Sequence, residues 1–325
     1  MEILNGFETS SVQRAVYLLK SGELVAFPTE TVYGLGADAF NPYAVAKIFE
    51  TKGRPRFDPL IVHIDTKEWL DKIAVEIPDK AKKLIEKFWP GPMTLILKKS
   101  NIIPDIVTSG LPTVGIRMPS HPVAKNLIKE LRRPIAAPSA NPFGYVSPTK
   151  AIHVANMLKN KIKLILDGGD SVYGIESTII SFQKEHVFIN RHGAISLEEI
   201  QEVVGEVKDK KEITGTYESP GMMPYHYSPE KPLKIVNSPE EIDKKNSAFL
   251  AFKTPLKPVL SKYVRVLSEK GDLKEAASNF FSHLIELDQR DVEIIYAERV
   301  PEKGLGRAIM ERLKKASKKY NVITH

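Results

Sequence analysis

The sequence predicts an α/β protein built in two unequal parts. Three observations lead there. Short apolar runs of strand length alternate with stretches of 3.6-residue periodicity along the chain. A proline-rich segment, SPGMMPYHYSPEKP, interrupts that alternation. And 325 residues exceed the ~250 beyond which one hydrophobic core rarely grows. The parts are expected at 1–207 and 232–325, joined by a linker over 208–231 whose prolines keep it extended and semi-rigid.

Residues 10–19 carry Val12, Ala15, Val16, Leu18 and Leu19 on one side, behind Ser10 or Ser11 as an N-cap, and Ser21-Gly22 stops the helix. Residues 24–27 form an apolar run short enough to be a buried strand. Pro28, which cannot donate to a ladder, ends it and leaves Thr29, Thr31 and Tyr33 at a strand end. Gly34 and Gly36 then allow the backbone to approach something bound there, although GLGADA lacks the GxGxxG register of a dinucleotide site. Asn41-Pro42 starts a helix whose stripe is Ala44, Val45, Ile48 and Phe49 and whose end is near Lys52-Gly53. Further helices are expected over 78–88, 121–131 and 149–159, and strands over 60–64, 93–97, 113–117, 135–137 and 163–166. Apolar runs at 179–180 and before Arg191 add two more. Ser196 with Glu198 and Glu199 opens a capped helix. Beyond the linker, strand-like runs at 233–236, 248–252, 264–267 and 293–297 and helical stretches at 273–287 and 305–320 make a second α/β unit. Arg307, Arg312, Lys314, Lys315, Lys318 and Lys319 of the last helix read as a solvated cationic face.

Composition narrows the chemistry. With 42% hydrophobic and 27% charged residues the chain is an ordinary globular protein. The absence of cysteine excludes disulfides, thiolate zinc sites and cysteine nucleophiles, leaving hydroxyls, carboxylates, His, Lys and Arg. The N-terminus lacks the pattern of a signal peptide, and no run approaches the ~18 apolar residues of a membrane span, so no membrane association and a cytoplasmic location are expected. A net charge of +7 accommodates phosphate ligands or RNA without requiring either. There is no Walker, HExxH or GxSxG motif, and acidic residues do not cluster into a metal cage.

Side chains able to do chemistry recur at strand ends. Lys52, Arg54 and Arg56 place three cations in five residues. An isolated KxRxR is usually a solvated turn, but this one lies between two strands and follows a hydroxyl-rich turn, where open α/β sheets form ligand crevices. Arg117, with apolar neighbours, needs a carboxylate or phosphate partner, structural or ligand-borne. PSANPFGYVSPT presents Ser139, Asn141 and Ser147 on what is either a surface connection or a ligand loop. DGGDSVYGIEST delivers Ser177 and Thr178, and a later strand ends on Arg191. These ends are expected to converge on one site. Tyr225, His226 and Tyr227 are unusual side chains for a mere spacer.

Taken together, PTETVYGLGADA with KGRPRFDPLIVHI, then WPGPMTLIL, TVGIRMPSHP, APSANPFGYVSPT and DGGDSVYGIEST resemble the YrdC-like threonylcarbamoyl-AMP synthases, in order over about residues 10 to 200. SPGMMPYHYSP and PEKGLGRAIMERLKKAS are similar to the longer, two-domain members. The resemblance implies a YrdC-like twisted open sheet with flanking helices and a smaller C-terminal Rossmann-like α/β domain. It implies that L-threonine, bicarbonate and ATP, with Mg2+, become L-threonylcarbamoyl adenylate and pyrophosphate. The adenylate would pass to a downstream tRNA threonylcarbamoyl transferase complex for N6 modification of adenosine 37, with at most weak tRNA contact by this chain. Position by position, Thr31, His63, Arg117, Ala137 and Ser177 would hold threonine and its carbamate. Arg54, Asp58, Thr113, Ser139, Ser147, Arg191 and Tyr227 would hold ATP, with Asn141 in the same region. Lys52, Arg54 and Arg117 would serve catalysis, and residues 225–227 would cover the site.

Three departures from the family pattern stand out. Pro142-Phe143-Gly144 replaces a frequent Ser-Gly pair, removing a hydroxyl at 143. His192 follows Arg191 where proline is common, which leaves that backbone less constrained. Pro224 alters how the cover would sit. Two competing readings remain. A non-catalytic tRNA or double-stranded RNA-binding protein would use the basic surface and bind with steep salt dependence. A carbamoyl transferase of the hydrogenase-maturation type would carry zinc-binding cysteines, which this chain lacks.

Overall fold

A computed structural model describes residues 1–210 and 226–321, so Pro224 and Tyr225 of the expected cover lie outside the described residues. The larger sheet has 12 strands. Its order runs Glu2–Asn5, Leu164–Asp167, Val25–Phe27, Gly34–Asp38, Ile135–Ala136, Ile61–His63, Thr113–Arg117, Met93–Lys99, Thr178–Gln183, His186–Arg191 and Val207–Asp209, with Ala74–Val75 beside Met93–Lys99. Helices cover both faces. On one, Val12 and Leu19 of the Thr9–Lys20 helix and Val123 and Leu127 of the Pro122–Leu131 helix bury Val25, Phe27 and Leu164. On the other, Val45, Ile48, Leu84 and Ile85 bury Leu35, Val62, Leu95 and Ile116. Cover on both sides is why the central strands are continuously apolar.

Local chemistry sets the element ends. The Asn41 side chain accepts from the amides of Tyr43 and Ala44 at 3.1 and 3.2 Å, and Gly53 closes the same helix in the left-handed region at φ 64°. Ser196 and Glu199 form a reciprocal capping box. Two expectations are corrected. The first helix starts behind Glu8 with no side-chain cap, so neither Ser10 nor Ser11 caps it, and Ser11 is buried instead. Gly34–Asp38, where both glycines were expected to let the backbone approach something bound, is a strand antiparallel to Val25–Phe27, and of the two Gly34 alone lines the cavity described below. A Cβ on Gly36 would meet both Phe27 and Ile135 at 2.8 Å, so this glycine admits core side chains, not a ligand.

The smaller sheet is parallel throughout, in the order Leu233–Val236, Ile294–Glu298, Ser247–Ala251, Tyr263–Val266. The helices Leu273–Asp288 and Gly306–Asn321 supply Phe280, Phe281, Ile309 and Leu313 to its core. Val32, Val146, Ile175 and Ala194 of the larger unit enter the same cluster, so the two units are packed together, not merely tethered. Of the last helix's cations, Lys314 and Lys318 are exposed as expected, and Arg312 is the exception. It is 0% exposed, because it shares a helical stripe with Ala308, Ile309, Leu313 and Ala316.

Gly174 is one place where the backbones of the two units approach closely. Its φ is +65°, and a Cβ there would sit 2.3 Å from the Ser278 carbonyl oxygen. Gly174→Ala should therefore destabilise the protein by about 1–3 kcal/mol through overpacking, beyond the strain of its backbone. Gly53→Ala, at φ +64° with nothing within 4 Å, carries the strain alone. Urea denaturation should show a lower midpoint for Gly174→Ala than for Gly53→Ala. Equal midpoints would contradict the close approach.

Candidate active site

Parallel pairing of Ile61–His63 with Thr113–Arg117 sets His63 directly beside Arg117. The Ala137 amide donates to the Ile61 carbonyl at 2.9 Å, which brings the next loop to the same edge. Facing them is the turn after Phe27. Thr29 Oγ1 accepts from the amides of Thr31 and Val32 at 3.2 and 3.3 Å and donates to the Val32 carbonyl at 2.6 Å. Its proton is thereby committed, so the Thr31 hydroxyl donates to Thr29 across 2.8 Å and is left to accept from Arg117 Nη1, also at 2.8 Å. The turn residues are thus ordered by one chain of hydrogen bonds that begins at a guanidinium.

Arg117 is 4% exposed. Its Nη2 lies 2.7 Å from Glu30 Oε1 without the alignment of a hydrogen bond, and its Nε reaches the Gly91 carbonyl at 3.4 Å. Burial acts to raise the Glu30 carboxyl, but Arg117 and the backbone amides outweigh it and hold that pKa below its ordinary value. His63 is pushed down to about 3, by burial and then by Arg117. At neutral pH it is an uncharged imidazole whose Nδ1 has no hydrogen-bond partner.

A second group of cations lies nearby. Arg54 donates to the carbonyls of Asp58 and Pro59 at 3.0 and 2.9 Å and pairs with Asp58 Oδ2 at 2.9 Å. Arg191 donates through Nε and Nη2 to the Ser177 carbonyl at 3.1 and 3.0 Å and through Nη2 to Ser177 Oγ at 3.1 Å. Tyr227, in the left-handed region at φ 63°, packs its ring 4.2 Å from that of His226. Its hydroxyl has no hydrogen-bond partner and is raised to about 12, by burial and then by Glu176. Burial, with Arg54 next, holds His226 well below its usual value and therefore neutral.

These groups surround one cavity. Of the residues expected from the sequence, Thr31, Arg54, His63, Arg117, Ala137, Ser139, Ser177, Arg191, His226 and Tyr227 line it. Lys52, Asp58, Thr113, Asn141 and Ser147 do not. Lys52 donates to the carbonyls of Ser139, at 2.6 Å, and Asn141, pinning the loop that carries Ser139. Burial and then Arg54 hold its pKa well below normal. Asp58 lies under Arg54; burial raises its carboxyl against the pull of that arginine. Asn141 Nδ2 donates to the carbonyls of Pro142 and Tyr145, both at 2.9 Å. Ser147 donates to Glu176 Oε1 at 2.5 Å. Thr113 starts the strand that Arg117 ends, roughly 13 Å away at ~3.3 Å per residue.

Sequence reasoning missed three residues: Thr29 and Glu176 in the cavity wall and Glu30 behind Arg117. The two glutamates carry no signal in the sequence that ranks them above other acidic residues; what distinguishes each is the arginine it faces.

Comparison with known proteins agrees with this geometry. The Sua5, YciO and YrdC family, described as "Telomere recombination", matches residues 17–193, and the family described as "Threonylcarbamoyl-AMP synthase, C-terminal domain" matches 195–318. The threonylcarbamoyl-AMP synthase of Pyrococcus abyssi is 44% identical over 322 residues, covering 95% of each chain. That of Bacillus subtilis is 43% identical over 320 residues, covering 94% of this chain and 92% of its own. The crystal structure of P. abyssi Sua5 complexed with L-threonine superposes with a TM-score of 0.90 at 40% identity, covering 98% of both chains. The chain belongs to the threonylcarbamoyl-AMP synthase family, in the form that carries both the Sua5/YrdC domain and the C-terminal domain.

Proposed function

We propose that this protein condenses L-threonine, bicarbonate and ATP into L-threonylcarbamoyl adenylate and pyrophosphate. The adenylate is then the donor for N6-threonylcarbamoylation of adenosine 37 in tRNA by a separate transferase complex. The observation that carries this reading is the single cavity in which Arg117, Thr31 and His63 meet Arg54 and Arg191. Names of relatives at 43–44% identity and the threonine complex of P. abyssi Sua5 support it. The cytoplasm, where ATP and tRNA are both present, is its expected place of work.

The reaction sets an electrostatic problem. Bicarbonate yields CO2 with loss of hydroxide, and threonine's amine captures that CO2 to form a carbamate with loss of a proton, so that water is the net by-product. The carbamate oxygen then attacks the α-phosphorus of ATP, and the bond to pyrophosphate breaks. Nucleophile and electrophile are both anionic, so positioned cations lower the barrier more than covalent chemistry could. Arg117 suits the amino-acid carboxylate, since a guanidinium offers two parallel donors, and neutral His63 and Thr31 add uncharged hydrogen-bonding groups beside it. Arg54, Arg191, Ser139 and the Tyr227 hydroxyl face the nucleotide. Ser177, bonded to Arg191, stands where the two substrates meet. Asp58 and Lys52 act through Arg54 and the Ser139 loop, respectively. His226 and Tyr227 shield a carbamate that would lose CO2 in water.

The pocket does not fit a protein-held metal ion. Glu176 in its wall and Glu30 and Asp58 behind it each lie against an arginine, at 2.8, 2.7 and 2.9 Å, and no metal-binding cluster occurs among the described residues. A Mg2+ ion entering with ATP would be held by phosphate oxygens and water. The RNA-binding reading is not favoured, because relatives 43–44% identical over at least 94% of this chain bear the name of the synthase. No described helix is long and apolar enough to cross a membrane.

Pyrophosphate release from ATP should require both threonine and bicarbonate. Release that persists without either one would refute the assignment. Arg117→Ala should lower kcat/KM for threonine by about 10²-fold or more, the scale for removing one partner of a buried charged contact. Arg117→Lys, which keeps the charge and loses the fork, should fall between. Near-normal kinetics in the alanine variant would remove Arg117 from the site.

A further inference from the structure

Two dipeptides frame the nucleotide side of the cavity, Glu176-Ser177 and Arg191-His192. They run so close together that a Cβ on Gly193 would sit 2.4 Å from the Glu176 carbonyl oxygen. Within the larger unit, Arg191 ties them by donating to Ser177. The last helix of the smaller unit ties them a second time. Arg312 Nε and Nη2 donate to Glu176 Oε2 at 3.0 and 2.8 Å, and its Nη1 donates to the His192 carbonyl at 2.5 Å. Glu311 Oε2 accepts from the His192 amide at 3.0 Å. The Arg312 guanidinium also lies 5.1 Å from the centre of the Tyr227 ring.

Glu176 is a cavity residue, 5% exposed, in a wall otherwise arranged for anions. An uncompensated carboxylate there would repel a triphosphate and would be costly to bury. Arg54 and Arg191 do not relieve it, being bonded to Asp58 and Ser177. Its ion pair comes from the other unit, through Arg312.

We propose that Arg312 is a positioning residue for nucleotide binding: it offsets the Glu176 charge beside the triphosphate and, through the His192 carbonyl, fixes the backbone that presents Arg191. The smaller domain thereby contributes to ATP affinity through a side chain that never touches ATP. This rests on the reading of the cavity's Arg54 and Arg191 side as the ATP site. An ordinary interdomain salt bridge would need neither a cavity-lining carboxylate nor bonds to the residues flanking Ser177 and Arg191.

The test uses full-length Arg312→Met, Arg312→Lys, Glu176→Gln and the double variant Glu176→Gln/Arg312→Met. KM for ATP and for threonine would be measured by pyrophosphate release, ATP affinity by calorimetry, and Tm recorded for each. Arg312→Met should raise KM for ATP by about tenfold or more while KM for threonine stays within about twofold. Arg312→Lys should lie between. The double variant should regain most of the lost ATP affinity, because the uncompensated carboxylate is gone. Equal rises in both KM values, or a double variant no better than Arg312→Met, would mean a merely structural role and overturn the proposal. Should Arg312→Met fail to fold, Glu176→Gln decides: ATP affinity unchanged or tighter supports the proposal, and a tenfold loss overturns it. Wild-type protein that binds no ATP would overturn the functional reading and this inference together, whereas working wild type with unsplit variants overturns the inference alone.

Discussion

Four guanidinium groups, those of Arg54, Arg117, Arg191 and Arg312, are buried around one cavity at no more than 6% exposure each. Taking such a charge out of water costs several kcal/mol, so each must be met by an acceptor before any substrate arrives. Asp58, Glu30 and Glu176 meet three of them, and the Ser177 carbonyl meets the fourth. Much of the architecture serves that condition. The fold brings chain segments near residues 30, 61, 117 and 191 around one cavity, and the turn at Thr29, the Asn141 loop and the Gly193 approach hold the acceptors in place. The result is a set of cations oriented in advance, which need not reorganise as charge develops on a reacting phosphate.

The titratable groups complement this arrangement. His63 and His226 are buried among arginines and stay neutral, while guanidinium keeps its proton under any ordinary condition. The cavity's positive charge therefore resides on groups that do not titrate near pH 7, and its imidazoles serve as uncharged contacts. The reaction proposed above, which joins two anions through an acid-labile carbamate, would gain from that division.

Much of this was legible in the sequence, and the exceptions have physical reasons. Asn41, Gly53 and the Ser196 box ended helices where their chemistry said they would, because capping is a local property. Gly34–Asp38 was misread because a glycine inside a strand and a glycine in a turn look alike until the side chains packed on it, Phe27 and Ile135, are known. Arg54, Arg117 and Arg191 could be picked out as cations at strand ends, whereas Glu30 and Glu176 could not be ranked above other acidic residues without knowing which arginine each faces. Arg312 was within reach. It falls at the i+4 position from Ala308 and the i−4 position from Ala316, on the buried stripe, and was overlooked because its lysine neighbours suggested a solvated face.

Tyr227 belongs to two places at once. It lines the cavity, and its ring is 1% exposed within the core cluster of the smaller domain, 5.9 Å from that of Phe281. Tyr227 cannot leave the cavity wall without withdrawing an aromatic ring from a packed core and from its contact with Arg312. Under the reaction proposed above, exchange of ligand past Tyr227 would cost packing in the second domain, and the residence time of a bound adenylate would depend on that packing as well as on the chemistry.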